Sequence, residues 1–571
     1  MLSFAALCLL AQPTPPQPPA PLAGLLVQDE IDEAIERGRA LLDAGDAAGA
    51  EAIFAEAAER EGGSFRTQMW VLRAWMDQGR INDTLDALDD LRVGGESGPD
   101  LEYTYGMCFA RRVQDLLVTA PGSNAIAMNL LDGQAKLESL VGLDDERYRD
   151  AHEMLALCAW YNQALDVSRA AAERALEHYP DRPSAWFQLG RTALSQYAGV
   201  QGQEGLEAEA DAHWARAKQG FEGAIERYGE PEQPAGIRGL AEAAVQLAYV
   251  HLWKAEAEPA AAALTQACGW DPSAVDFAQF LGQFERDAYR GALSAGAGAY
   301  AERYGAEHPG DASLQWWLGW VCWDTGQLEE AETAFLASVQ KWPAFLNSWY
   351  YLYRVRFARA DYAGSIAALH ENWAGDPASL IASIQAGGEV ERGLLDWLVG
   401  FAAGEGDLDE AIFVTEIECE LWPRDEWLWN NLGLFLRDST EARYGRSTRG
   451  KDEETAALML ERYERSYAAY ARAVELVPTH PVFLNDGAVI LDYYLQRDYD
   501  RAMEMYRTAA EHADAWLARD DQGEQELQAL RLAKRDSNNN MRILERKIER
   551  VRGGESGEDV DADEGDGAGG R

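Results

Sequence analysis

The chain has 571 residues, 47% of them hydrophobic, and no Pro/Gly/Ser-rich linker divides its middle. Lys and Arg number 51 against 97 Asp and Glu, so the net charge is −46 at pH 7. This charge repels phosphate backbones and anionic membranes, so it argues against nucleic-acid binding. The longest apolar run is too short to cross a bilayer, and we predict no transmembrane span.

The first 28 residues differ from the rest. Residues 2–11 form an apolar run of about the length of a signal-peptide core, although no Lys or Arg precedes it. We predict a signal peptide at 1–11 and a Pro-rich spacer at 12–28, since successive prolines cannot form a helix. The protein would then be exported, periplasmic or extracytoplasmic. If the apolar run is not a signal peptide, the protein would be cytoplasmic.

One spacing recurs along the chain and is clearest in residues 318–343. Gly319 is followed by Gly326, then by Ala331, Phe335 and Pro343. A small Gly319 lets a second helix approach, Gly326 permits the turn, Phe335 fills the gap and Pro343 ends the second helix. A period near 34 residues indicates helical hairpins that bury their apolar faces only by stacking on one another.

Copies of this spacing cover about 31 to 512, with inserts near 195–213, 378–391 and 437–460. Residues 97–146 and 273–310 fit poorly. The anchors of the other copies include Gly38, Phe54, Trp75, Gly79, Ala172, Trp186, Gly190, Phe221, Ala248, Ala260, Trp349, Gly406, Ala411, Trp429, Gly433, Tyr470 and Gly487.

Apolar residues keep helical spacing throughout, and sustained period-2 runs are missing from the sequence, which predicts an all-α fold. We place the stacked hairpins at 29–512 and C-terminal capping helices at 513–552. Met541, Leu544, Ile548 and Val551 share one helix face there, among basic residues. The alternative for this basic helix is a contact with another protein. The segment 553–571 lacks large apolar residues and is predicted to be a disordered acidic tail.

The spacing resembles the tetratricopeptide repeat family, whose signature is Trp-x-x-Leu-Gly-x-x-Tyr, then Ala-x-x-x-Phe, then Pro. The resemblance implies a right-handed superhelical solenoid of about a dozen helix-turn-helix hairpins. It also implies a protein that binds a partner and is not an enzyme.

Motifs for catalysis, metal binding or phosphate binding are not found in the sequence. The eight His residues are scattered and the six Cys residues are far apart, which predicts buried free thiols. The 15 residues from Arg437 to Lys451 carry five basic side chains among small polar residues and are predicted to form a loop. We therefore predict no catalytic residue, no metal and no cofactor.

In the tetratricopeptide family the first helix of each hairpin lines the groove, at positions three before, one after and four after the signature Gly. The resemblance thus implies a peptide-binding groove whose candidate residues are Trp316, Trp320, Trp323, Tyr350, Arg354, Phe357, Tyr249 and Trp253. Such aromatic side chains with a guanidinium could grip an extended peptide or stack on sugar rings. The alternative is that this aromatic stripe belongs to the core.

Three functions remain open from the sequence. The first is a non-enzymatic scaffold or adaptor that binds a partner protein or extended peptide. The second is an accessory subunit of an envelope or polysaccharide-export machine, with the aromatic groove contacting glycan. The third, the most remote, is an all-helical enzyme that uses carboxylates inside the superhelix. Convergent carboxylates with displaced pKa values would favour the third.

Overall fold

The computed structural model of the chain describes residues 21–120, 122–143 and 145–552. The predicted signal peptide and acidic tail lie outside the described residues. Residues 21–28, predicted as the end of the spacer, instead begin the first helix, Pro21–Asp43. Proline is tolerated at a first helical position, and no further proline follows it here.

The described residues form helices without strands, and the all-α repeat fold is confirmed. The chain divides into two compact units at Gly305. The first unit contains, in chain order, α1 (Pro21–Asp43), α2 (Ala47–Arg60), α3 (Phe65–Asp77), α4 (Ile81–Val93), α5 (Pro99–Thr119), α6 (Asn124–Glu138), α7 (Ala151–Tyr161), α8 (Leu165–His178), α9 (Pro183–Val200), α10 (Glu207–Tyr228), α11 (Pro234–Leu252), α12 (Ala257–Trp270), α13 (Phe277–Leu281) and α14 (Arg286–Tyr304).

The second unit continues the same hairpin pattern and adds a long terminal helix. Its helices are α15 (Ala312–Asp324), α16 (Leu328–Lys341), α17 (Leu346–Ala358), α18 (Tyr362–Gly375), α19 (Pro377–Gly387), α20 (Glu389–Glu405), α21 (Leu408–Leu421), α22 (Glu426–Tyr444), α23 (Glu453–Leu476), α24 (Pro481–Val489), α25 (Tyr499–Leu517) and α26 (Glu524–Arg552). Short 3-10 turns lie at 146–148, 272–274 and 309–311, and a π-helical turn, Ile490–Tyr494, follows α24.

Several hairpins close where a glycine of the first helix faces a large side chain of the second. A Cβ added to Gly319 would lie 2.8 Å from the ring of Phe335, and one added to Gly433 would lie 2.8 Å from Tyr470. Real Cβ atoms do not approach that closely, so the two helices touch only because no side chain intervenes. Gly326 then supplies the left-handed turn residue, with φ of +75°.

We expect Gly319→Ala to lower the free energy of unfolding by about 1–3 kcal/mol, because the added methyl must displace the buried ring of Phe335. Urea unfolding followed by circular dichroism measures the loss. Gly400→Ala on α20 is the matched control in the same unit. No atom lies within 4 Å of its added Cβ, so it should stabilise by about 0.5–1 kcal/mol. Equal effects of the two substitutions would contradict the packing role of Gly319.

A second repeated contact joins consecutive hairpins. The indole nitrogen of Trp186 donates to the carbonyl of Pro180 at 2.8 Å. Trp349 and Trp429 do the same to Pro343 and Pro423, at 2.9 Å and 3.1 Å. Because the proline ends the preceding helix, its carbonyl accepts no hydrogen bond within that helix and can accept one from the indole.

The basic segment from Arg437 to Lys451 differs from the prediction. Its first half continues α22 to Tyr444, so the predicted loop is wrong for those residues. Arg437 pairs with the neighbouring Asp438 at 2.7 Å and is largely buried. The predicted loop therefore shortens to the residues between α22 and α23.

The terminal helix α26 packs on the last hairpin through buried polar contacts. Ser537 lies 3.0 Å from the side-chain oxygen of Asn485. The ammonium of Lys547 donates to the Asp492 carbonyl at 2.8 Å and lies 3.2 Å from its carboxylate. Leu544, on the predicted apolar face, is fully buried. This helix therefore covers the apolar end of the stack.

Cys108, Cys158, Cys268, Cys322 and Cys419 are buried free thiols. Burial raises the pKa of Cys108, Cys158 and Cys419 to about 12. At neutral pH these side chains therefore act as small apolar groups. Within the described residues, no helix combines the length and apolar character needed to span a membrane.

Candidate protein-binding surface

Trp316, Trp320 and Trp323 lie on α15, and each is half-buried. The ring of Trp316 packs against Phe345 and Tyr351 of the next hairpin, with ring centroids 6.0 Å and 5.8 Å away. Trp320 donates its indole N–H to the Tyr351 hydroxyl at 3.1 Å. One side of the tryptophan stripe is thus core and the other side remains open to solvent.

Tyr350, Arg354 and Phe357 lie on α17, beside this stripe. Tyr350 is buried, whereas Arg354 and Phe357 are half-buried. The Arg354 guanidinium carbon lies 5.4 Å from the centre of the Trp323 ring, within cation–π range. The structure therefore brings Trp323 of one hairpin next to Arg354 of the following hairpin.

A buried carboxylate, Glu391 of α20, holds the α17 residues in place. It accepts hydrogen bonds from the hydroxyls of Tyr350 at 3.0 Å and Tyr353 at 2.8 Å. Its Oε1 also lies 3.2 Å from Nε of Arg354. Burial and the charge of Glu391 raise the pKa of both tyrosines, which stay protonated and keep donating.

The other nitrogens of Arg354 remain available. Its ion pair with Glu391 involves Nε, and within the described part of the chain its two terminal nitrogens form no hydrogen bond. The side chain is partly exposed. Arg354 thus presents a fixed, charged fork beside an indole ring, an arrangement suited to a carboxylate or a carbonyl of a bound chain.

Tyr249 and Trp253 lie on and just after α11, in the first unit. The ring of Tyr249 stacks on Phe280 at 4.4 Å, and its hydroxyl donates to Gln279 at 2.5 Å. Trp253 is 37% exposed and lies 5.3 Å from the ring of Tyr197. The side chain of Tyr249 thus packs locally, whereas that of Trp253 is partly exposed to solvent.

Several carboxylates of the second unit have displaced pKa values, and burial raises those of Asp311, Glu418 and Asp486. Glu418 on α21 is buried, and burial, followed by the charge and hydrogen bond of Asp396, raises its pKa to about 9. Arg392 and Asp425, which also act on Glu418, line an open cleft of about 600 Å³. Among the described residues no three His, Cys, Asp or Glu side chains are placed to hold a metal ion.

Glu418 makes the stability of this unit depend on pH. Its folded pKa lies above the ordinary value of 4.5, so its favourable contribution is complete below pH 4.5 and is lost as pH rises towards 9. We expect wild-type stability to fall relative to Glu418→Gln by about 1 kcal/mol per pH unit across that window. Urea unfolding at pH 5, 7 and 8.5 measures the difference, with exposed Glu420→Gln as control. Parallel pH profiles for wild type and Glu418→Gln would contradict it.

Comparison with known families is consistent with this geometry. A family model described as tetratricopeptide repeat matches residues 153–197 and 281–344. The second match includes the whole hairpin of α15 and α16, with Gly319 and Phe335 in contact. These two segments are thus similar to tetratricopeptide repeats.

The chain is also similar to solved structures, among them the crystal structure of the yeast Tom70. The identity is 12%, the match covers 91% of this chain and 99% of that chain, and the TM-score is 0.20. No curated protein matches the sequence.

Sequence reasoning missed the residues that organise the site of this repeat protein. Glu391 fell at the end of a predicted insert, and nothing in its spacing links it to Arg354, 37 positions earlier. Tyr351, which accepts the bond from Trp320, lies between two residues that were selected. As an aromatic residue Tyr351 could have been selected, but it does not occupy one of the groove positions of the family.

Proposed function

We propose that this protein is a non-enzymatic scaffold that binds a partner protein in extended form along α15 and α17. The observation that supports it most is the pairing of Trp323 with Arg354. Glu391 is the ion-pair partner of the guanidinium, and the terminal nitrogens form no hydrogen bond within the described residues. An indole and an adjacent cation offer both apolar area and a hydrogen-bonding group to a passing chain.

Two features favour a protein partner over a small substrate. The surface is open and spreads over two hairpins, whereas small-molecule sites are enclosed. Its indoles are half-buried against the core, so they are already ordered and lose little rotamer entropy on binding. Phe357, half-buried and 5.3 Å from Tyr362, extends the same surface along α17.

The experiment places a photo-crosslinking phenylalanine derivative at position 323 or 357 in the full chain, expressed in its own cells. We expect both positions to crosslink to one discrete partner. The control position is Thr333, which is exposed on α16. Equal yields at 323, 357 and 333 would overturn the proposed surface.

Substitutions then test the contribution of the side chains. Trp323→Ala should reduce the crosslink from position 357 about tenfold while the melting temperature changes little. Trp320→Ala is a poorer choice, since its indole donates to Tyr351 and its loss also disturbs packing. The glycan alternative predicts that soluble polysaccharide shifts the tryptophan fluorescence and that Trp323→Ala abolishes this shift. That result would replace the protein partner by a glycan.

The proposal includes export from the cytoplasm, which is supported by the apolar run at residues 2–11 alone. Cell fractionation of the full chain with a C-terminal tag tests it. A fully cytoplasmic protein of unprocessed mass would refute export and leave the binding surface untouched.

A further inference from the structure

Helix α20 carries an apolar stripe that the rest of the second unit does not cover. Val390, Leu394, Trp397 and Phe401 lie at i, i+4, i+7 and i+11, on one helix face. Val390 is 63% exposed and Trp397 is 57% exposed, while Leu394 and Phe401 are half-buried. A different face of the helix is the core side, where Leu395 and Leu398 are fully buried.

The stripe continues onto the preceding hairpin. The ring of Tyr362, at the start of α18, lies 6.0 Å from Trp397 and 5.2 Å from Phe401. The exposed indole therefore rests on an ordered aromatic base. Large exposed apolar areas of this kind mark interaction sites more often than scattered single residues do.

A second row of residues on α20 lies beside the apolar stripe and is displaced from it by one position in the sequence. Its members are Glu389, Gly393, Asp396, Gly400 and Gly404, all exposed. Each glycine within a helix costs about 1 kcal/mol relative to alanine. At Gly319 that cost accompanies a close helix contact, but at Gly393, Gly400 and Gly404 no atom lies within 4 Å of an added Cβ. Contacts within the second unit therefore do not account for these three glycines.

The exposed charged residues of α20 are acidic. Glu389, Asp396 and Glu405 are exposed acids of α20, and Glu389 and Glu405 make no ion pair within the described residues. The only cation of the helix, Arg392, is held by Asp425 and lies over Trp422. A second copy of this chain, with a charge of −46, is a poor occupant on electrostatic grounds.

We propose that the Val390–Phe401 stripe and the glycine row of α20 form a docking site for a basic amphipathic helix of another protein. The apolar face of that helix covers Trp397 and Val390, its backbone lies over Gly393 and Gly400, and its Lys or Arg side chains reach Glu389 and Asp396. Missing side chains along a straight row let two helix axes approach closely. This inference goes beyond the proposed function, because none of these residues belongs to the surface on α15 and α17.

The test uses the full chain and three synthetic 18-residue peptides labelled with a fluorophore. One is a Leu/Lys peptide with its leucines on one helix face. The second has the same composition in scrambled order, and the third has Glu in place of Lys. Fluorescence anisotropy should show binding of the amphipathic basic peptide at least tenfold tighter than binding of either other peptide.

Gly400→Leu fills the glycine row and should weaken that binding at least tenfold. Because the added side chain meets no atom near its Cβ, the fold should be kept, and circular dichroism verifies this. The matched control is Gly298→Leu on α14, an exposed helical glycine that also has no atom within 4 Å of its added Cβ. It should leave binding unchanged.

Three outcomes would overturn the proposal. Equal binding of the amphipathic and scrambled peptides would mean charge attraction alone. Equal loss in Gly400→Leu and Gly298→Leu would place binding elsewhere on the acidic surface. A concentration-dependent dimer in wild type that Gly400→Leu abolishes, measured by sedimentation, would assign the face to a second copy.

Discussion

Lys547→Met should lower the free energy of unfolding by about 3–5 kcal/mol and release the terminal helix α26 from the last hairpin. The ammonium of Lys547 and the carboxylate of Asp492 are each 1% exposed and lie 3.2 Å apart. Methionine preserves most of the side-chain volume but leaves the Asp492 charge buried without its cation. The loss of stability therefore reports the cost of a buried charge without its cation and not a loss of packing area.

Hydrogen exchange of the α26 amides is the measurement that locates this effect, because the ion pair joins α26 to the π-helical turn at 490–494. The matched control is Lys534→Met on the same helix. Lys534 pairs with Asp514 at an exposed position, and its loss should cost at most about 1 kcal/mol. If both substitutions speed exchange equally, burial of the Lys547 pair is not what anchors the helix.

Glu391→Ala should cost a similar amount, about 3–5 kcal/mol, because one side chain serves three partners. Its removal leaves the buried hydroxyls of Tyr350 and Tyr353 without their acceptor and the guanidinium of Arg354 without its ion-pair partner. We also expect Arg354 to leave its position beside Trp323, which changes the tryptophan fluorescence of the folded protein.

Urea unfolding gives the loss of stability, and two variants make the result specific. Glu389→Ala removes an exposed acid from the same helix and should change stability by less than about 0.5 kcal/mol. Tyr353→Phe removes one of the hydrogen bonds and should cost about 1 kcal/mol. A Glu391→Ala loss no larger than that of Tyr353→Phe would show that the carboxylate does not organise this surface.

The repeat spacing predicted the fold because its residues act locally. Gly319, Gly326 and Phe335 lie within 17 positions, and their sizes alone require two helices in close contact across a tight turn. The same reasoning failed from Arg437 to Tyr444. Small polar residues suggested a loop there. In the folded unit their side chains form contacts, and helix α22 continues through them to Tyr444.

The candidate site was predicted in part. Selection of Trp323 and Arg354 relied on a register inherited from the family, and the structure places them next to each other. Tyr350 was selected by the same rule but is buried, because Glu391 of α20 draws its hydroxyl inward. Trp397, the most exposed tryptophan among the described residues, was not selected, since its hairpin begins after an irregular insert.

The amino-acid sequence by itself determined the helical class, the hairpin repeat and the acidic character of this protein. These depend on the size, spacing and charge of residues close in the chain. Only the tertiary structure decided which aromatic side chains are exposed, that Arg354 lies beside Trp323, and that α20 carries an uncovered face. Exposure and pairing depend on residues such as Glu391 and Asp425, which reach their partners through folding across tens of positions.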